Sequence, residues 1–207
     1  MRINEQGRSM IEMLGVLAIV GVLSVGGIAG YSKAMNKFKT NKLIDQVNMM
    51  STNIRTLYSS QRNYTGLNNE IGIKTGIVPA EMFSPTDTNY VITNAFGGTV
   101  LVKASATSGD ENGAYVIAVD GVPAASCISI VTTDWGGDSG SGLVAMYAKN
   151  DNGSVKEAFT ELDAASPTAS ANIARPDDTT NGLPFTIVRA NAACSNAGNA
   201  IIAWKYL

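Results

Sequence analysis

Residues 13–32 form a run of twenty without a single charge. A helix of that length spans the ~30 Å hydrocarbon core of a bilayer, and an uncharged run of this kind must be buried in lipid or among other apolar helices. It is longer than the apolar core of a secretory signal peptide, and it enters a helical pattern with no small-residue cleavage site before it. Beyond it, Met35, Phe38, Ile44, Val47, Met50, Ile54 and Leu57 recur at steps of mostly three. This is the apolar stripe of an amphipathic helix. The spacing predicts one helix from about residue 10 to about residue 60, roughly 75 Å long at 1.5 Å per residue. Its first half is apolar all round and its second half apolar on one side.

Two features inside this segment go beyond hydrophobicity. Gly15, Gly21, Gly26, Gly27 and Gly30 would each cost about 1 kcal/mol in a water-exposed helix, whereas between apolar helices they let backbones approach closely. Glu12 stands at the N-terminal lip of the run. A charge at the centre of a spanning helix costs roughly 2.5–3.5 kcal/mol on insertion scales, and intramembrane acids usually have a partner. One reading is a carboxylate snorkelling towards headgroups. The other needs a cation at the same depth.

Charge divides the chain. Residues 1–62 hold eight Lys and Arg against three Asp and Glu, and residues 63–207 hold seven against fourteen. The acidic C-terminal part is no match for nucleic acid, which needs clustered Lys and Arg. The basic residues Lys33, Lys37, Lys39 and Lys42 read as a solvated helix face, or else as a membrane-surface or nucleic-acid patch. There is no histidine, which removes the commonest general base and zinc ligand. The two cysteines, Cys127 and Cys194, lie far from the apolar run. In a part of the chain sent across a membrane, such a pair suggests one disulfide.

From Gln61 onward Gly, Asn, Thr, Ser and Pro become frequent and apolar runs shorten. Residues 99–104 (TVLVKA) and 114–119 (AYVIAV) read as an antiparallel pair of strands, and 141–149 (SGLVAMYAK) as a third. Residues 183–190 (LPFTIVRA) and 199–207 (NAIIAWKYL) are candidates for two more. Pro123 marks a possible helix start for a short helix carrying Cys127. Residues 66–83 read as a short helix and loop, and residues 163–182 as a surface loop. The expected fold class is α+β: a long N-terminal helix packed by its stripe on an antiparallel sheet.

The N-terminal residues Gly7-Arg8-Ser9-Met10-Ile11-Glu12, followed by the uncharged run, resemble the type IV pilins and pseudopilins. The family's precursors carry a short charged leader ending in Gly, cut by a prepilin peptidase on the cytoplasmic face, with an acid as the fifth residue of the mature chain. Gly7 and Glu12 match that spacing, and the leader includes Arg2. The chain departs at Arg8, where the family usually has Phe or another apolar residue, commonly N-methylated. The late cysteine pair ahead of a final apolar strand resembles the type IVb branch.

The resemblance implies a leader (residues 1–7), a transmembrane and assembly helix (8–32), its amphipathic continuation (33–62) and a globular head (63–207). It implies cleavage between Gly7 and Arg8. It also implies pairing of Glu12 with the freed amine of Arg8 on another copy, and a Cys127–Cys194 bridge closing a loop of about 66 residues, worth roughly 4 kcal/mol in the chain-entropy model. The family places the bridged region at the filament surface. The function implied is that of a structural subunit, not an enzyme, needing no cofactor or metal. It would sit in the inner membrane among lipid as a single-pass precursor and polymerise with its own copies through an inner-membrane assembly platform into an extracellular pilus. A minor pilin or pseudopilin of a secretion or DNA-uptake machine, and a non-polymerising single-pass surface protein, are the alternatives.

Several motifs tempt other readings. GDSG at 137–140 resembles the nucleophile segment of a serine protease, but without histidine there is no base for a triad. The Asp- and Asn-rich stretches at 150–154 and 176–182 offer oxygen ligands without EF-hand spacing, and read as turns. Trp135 and Trp204 read as packing residues.

Overall fold

The structure, a computed structural model, describes residues 10–86, 88–136, 141–150, 154–195 and 199–207. The chain divides into two compact units, Met1–Phe38 and Lys39–Leu207. Helix α1 runs Met10–Tyr58. In the first unit its large apolar residues are exposed in every direction, as the absence of any polar face dictates.

The second unit is a six-stranded antiparallel sheet with helices on both faces. Its elements in chain order after α1 are α2 (Asn69–Lys74), a 3-10 turn (Ala80–Met82), β1 (Ile92–Thr93), β2 (Thr99–Thr107), β3 (Asp110–Val122), α3 (Ala124–Val131), β4 (Leu143–Lys149), α4 (Val155–Leu162), β5 (Ile173–Ala174), α5 (Ile187–Cys194) and β6 (Ala200–Tyr206). The strand order is β1-β2-β3-β6-β4-β5, with every neighbouring pair antiparallel. One of the two central strands is therefore the last in sequence, and this strand, β6, is buried at every position.

The two-residue period of β6 divides the core. Ala200, Ile202, Trp204 and Tyr206 join Leu43, Val47, Met50 and Ile54 of α1 in the larger cluster. Ile201 and Ala203 face the other way, under Ala158, Phe159 and Leu162 of α4. The turn between β1 and β2 meets the bend of β3 so closely that a Cβ on Gly98 would lie 2.0 Å from the Asp120 carbonyl oxygen, while Gly121 opposite takes φ +72°. Only glycine fits at either position.

The face of α1 that docks on the sheet differs in part from the stripe the spacing predicts. Val47, Met50 and Ile54 are buried as expected, joined by Leu43 and Tyr58, whereas Phe38 and Leu57 are exposed. Steps of three drift by about 60° per step around a helix of 3.6 residues per turn. The observed series 43, 47, 50, 54, 58 steps by four, three, four and four, and stays on one face.

One segment takes a different form from its sequence pattern. Residues 187–194 form helix α5 instead of a strand over 183–190. Ile and Val at 187 and 188 favour a strand by propensity, but Thr186 caps the helix by accepting the Arg189 amide, 3.4 Å away. Ala190, Ala193 and Cys194 then fall on one buried face, leaving Ile187 and Val188 exposed. Helix α4 begins after Ser154, with its apolar residues at 155, 158, 159 and 162, a helical spacing.

Candidate functional site

The site with the clearest chemical demand is the first unit of α1. An 18-residue window of the helix has a mean hydropathy of 2.2, and none of it is buried. Met10, Ile11, Val22 and Val25 are each more than 70% exposed. Gly15, Gly21, Gly26, Gly27 and Gly30 each have nothing within 4 Å of the Cβ position, so they are notches in an otherwise bulky apolar surface. The Ser24 hydroxyl is turned back onto the Val20 carbonyl at 2.7 Å, which hides a polar group within the helix. Glu12 lies in the first turn, where a helix N-terminus favours an acid. Gly7 and Arg8 lie outside the described residues.

In the second unit the polar residues flanking the docked stripe fix its register. Gln46 donates to Glu81 at 3.0 Å and accepts from the Ala95 amide at 3.2 Å. Thr40 donates to Ser126 at 2.8 Å. Near the helix end the Ser51 hydroxyl lies 2.7 Å from the Tyr115 hydroxyl, and Arg55 donates to that phenol at 3.2 Å and to the Ser141 carbonyl. The guanidinium lies 5.1 Å from the centre of the Tyr206 ring. Burial pushes the Tyr115 and Tyr206 phenols above their ordinary range, so both remain neutral beside the Arg55 cation.

Cys127 of α3 and Cys194 of α5 are joined across 67 residues, with Cα atoms 5.8 Å apart. Both are buried in the α1-side core. What faces solvent is the outer side of α5 and the loop before it. That loop is held by two arginines. Arg175 pairs with Asp177 and donates to Ser166 and the Pro167 carbonyl. Arg189 donates to the Ser170 carbonyl at 2.8 Å and lies over the Phe185 ring, 4.3 Å from its centre.

The tempting motifs resolve into structure where they are described. Asp178 accepts from the Thr180 and Asn181 amides and so closes its own turn. Trp204 is fully buried, its ring centre 4.8 Å from that of Trp135. Residues 137–140 and 151–153 lie outside the described residues.

Lys205 is the residue whose surroundings the sequence conceals. It is completely buried, on the α4 side of β6. Its ammonium donates to the carbonyls of Ala106, Leu162 and Ala164 at 2.7, 2.9 and 2.7 Å. Three acceptors match its three donors, and two of them lie at the C-terminal end of α4, where a cation is favoured. Desolvation pushes its pKa down to about 8, against a smaller opposing effect of Asp163, which leaves it protonated at neutral pH. The outward position of Lys205 could be read from the alternation of β6, but what covers it could not without α4.

Comparison with known proteins places this architecture. The family model described as "PilS N terminal" matches residues 37–206. The major structural subunit of bundle-forming pilus of Escherichia coli O111:H- is 27% identical over 185 residues, 87% of this chain and 93% of that protein. The crystal structure of TcpA, a type IV pilin from Vibrio cholerae El Tor, superposes with a TM-score of 0.57 at 16% identity, covering 82% of this chain and 99% of that one. A type IVb pilin from Salmonella typhi gives 0.51 at 17%, covering 80% and 97%. These two likenesses establish the pilin fold, an N-terminal helix packed on an antiparallel sheet. With the match over residues 37–206, they lead to one conclusion: the chain belongs to the PilS family of type IVb pilins, and is a structural, non-enzymatic pilus subunit.

Proposed function

We propose that this chain is the major subunit of a type IVb pilus. On this reading its precursor is held in the inner membrane by residues 8–32, cut after Gly7 by a prepilin peptidase, and drawn from lipid by an assembly platform into a filament of its own copies. The observation that carries the reading is the first unit of α1: an apolar, glycine-notched surface exposed all round, with one acid at its end. Such a surface requires lipid at one stage and neighbouring helices at another. Glu12 then has its partner in the amine of Arg8 on an adjacent copy. Two opposite charges in an apolar bundle offset each other's desolvation only when they meet closely, so the pair sets axial register.

The head supports growth through the helix instead of through strand addition, because both sheet edges end in two-residue strands, β1 and β5. The likeness to the Escherichia coli bundle-forming pilus subunit supports a major over a minor role. Filaments sheared from cells and resolved by mass spectrometry should contain this chain as the dominant protein. Its presence only in trace amounts within filaments of another pilin would assign it the minor role.

A further inference from the structure

The four lysines of residues 33–42 divide into two pairs. Lys39 and Lys42 belong to the second unit and are taken up by the head. The Lys39 ammonium lies 5.9 Å from the centre of the Phe96 ring, and Lys42 pairs with Glu81 at 3.1 Å. Lys33 and Lys37 belong to the first unit, where both are exposed. Among the described residues neither has an ion pair. No Asp or Glu occurs between Glu12 and Asp45, so the neighbouring turns of the helix supply no partner either. Residues four apart are neighbours on a helix surface, and like charges so placed repel each other. The pair is thus a local concentration of positive charge with nothing in its own unit to offset it.

Its place along the helix decides what meets it. Twenty uncharged residues at 1.5 Å each span about 30 Å, the thickness of the hydrocarbon core, and the headgroup layer adds roughly 5–8 Å on each side. Lys33 is the first charge after the run, and Lys37 stands about 6 Å further on, so both fall within that layer. Tyr31, 67% exposed, comes two residues before Lys33, and tyrosine is enriched at this depth. Lysines on the cytoplasmic side set the orientation of a spanning helix. Under the proposed function the residues after 32 are exported, so this pair stands on the side where it does not serve orientation. We propose that Lys33 and Lys37 bind the phosphates of anionic lipid headgroups on the exported face of the membrane. Anionic headgroups attract basic residues placed just beyond a spanning helix. Each ammonium brings three donors, and a phosphate between the two converts their mutual repulsion into a shared attraction. The proposal rests on residues 8–32 lying in the membrane, as the proposed function has it, and not on filament assembly.

The test uses the full chain in vesicles of phosphatidylcholine with a minor share of phosphatidylglycerol, with Trp fluorescence to establish a folded head. Ala34→Cys carries a fluorophore. Ala34 is exposed beside Lys33, and the native cysteines are bridged, so the label has one thiol to take. One lipid at a time carries a spin label high on its acyl chain, and quenching reports which lipid lies beside the helix. At equal content phosphatidylglycerol should quench several-fold more than phosphatidylcholine, and the excess should fall as salt is raised. Lys33→Gln with Lys37→Gln should bring the two lipids level. Lys33→Arg with Lys37→Arg should keep the excess, as should Lys39→Gln with Lys42→Gln. If the double Gln variant at 33 and 37 is not recovered in vesicles, the two single variants give the reading, each losing part of the excess. Equal quenching by the two lipids around the native lysines would overturn the proposal, as would an equal loss of the excess in the variant at 39 and 42. Lysines that meet acidic groups of neighbouring copies instead would show no lipid preference in vesicles and a lowered filament yield in cells, which would also overturn it. Vesicles hold neither peptidase nor assembly platform, so a missing lipid preference leaves the major-subunit reading standing. A chain that does not float with the vesicles would overturn the membrane placement of residues 8–32, and the proposal with it.

Discussion

A lysine on a central strand of a sheet is costly to bury, and Lys205 shows the condition under which it is kept. Its ammonium finds three carbonyls in fixed positions, two at the end of α4 and one on β2. Its ordinary pKa is 10.5 and its folded value about 8. Between those values the unfolded chain holds more protons than the folded one, so this group makes stability rise with pH across that window. Chemical denaturation from pH 8 to 10 should show that rise in the native chain and a flatter profile in Lys205→Met. A variant with the native slope would mean that the ammonium is not desolvated as described. Below pH 8 the same variant should be less stable than the native chain, since it leaves three carbonyls without their donor. Such a residue is hard to read in sequence because its environment is assembled from segments 41 and 99 residues away.

At the scale of elements, the parts with strong local pattern were legible and the parts settled by packing were not. β2, β3, β4 and β6 stand where their apolar runs stand, and α3 begins after Pro123. Helix α5 was hidden because Ile187 and Val188 suggest a strand, while the helix is settled by its alanines and by the cap at Thr186. Helix α4 was legible in principle: Ser154 and Glu157 have the spacing of a capping box, and 155, 158, 159 and 162 that of a helical face. The stripe on α1 gives a paired test. Met50→Ala, at a fully buried position, should cost the head about 2–5 kcal/mol. Leu57→Ala, at a position 41% exposed, should change it by no more than about 0.5 kcal/mol. The opposite ranking in denaturant midpoints would restore the stripe in steps of three. The bridge between α3 and α5 gives another. Cys127→Ser should lower head stability by about 2–5 kcal/mol and reduce the steady-state level of the chain, while membrane insertion continues. An unchanged midpoint would show that the packing of α3 on α5 does not depend on the bridge.

At the scale of the whole molecule, the division of labour follows from which surfaces are closed. The head buries its sheet on both faces, α1 on one and α4 on the other, and ends its edges in short strands. The first unit of α1 leaves its apolar surface open. The leader belongs to the same account: the mature chain should begin at Arg8, and bulky substitutions at Gly7 should leave the leader attached. N-terminal sequencing of assembled material checks this, and an intact Met1 there would contradict it. The central claim is that copies assemble through this helix with Glu12 meeting the amine of Arg8 on a neighbour. If Glu12 only snorkels at the membrane edge, Glu12→Val removes a polar cost and assembly continues. If it pairs between copies, the same change strands a charge in an apolar bundle at a cost of several kcal/mol. The most direct measurement is filament yield by electron microscopy from cells making only the Glu12→Val chain, with cleavage and membrane level measured alongside. The account predicts normal cleavage, a normal membrane level and no filaments. A normal filament yield from that variant alone would contradict it.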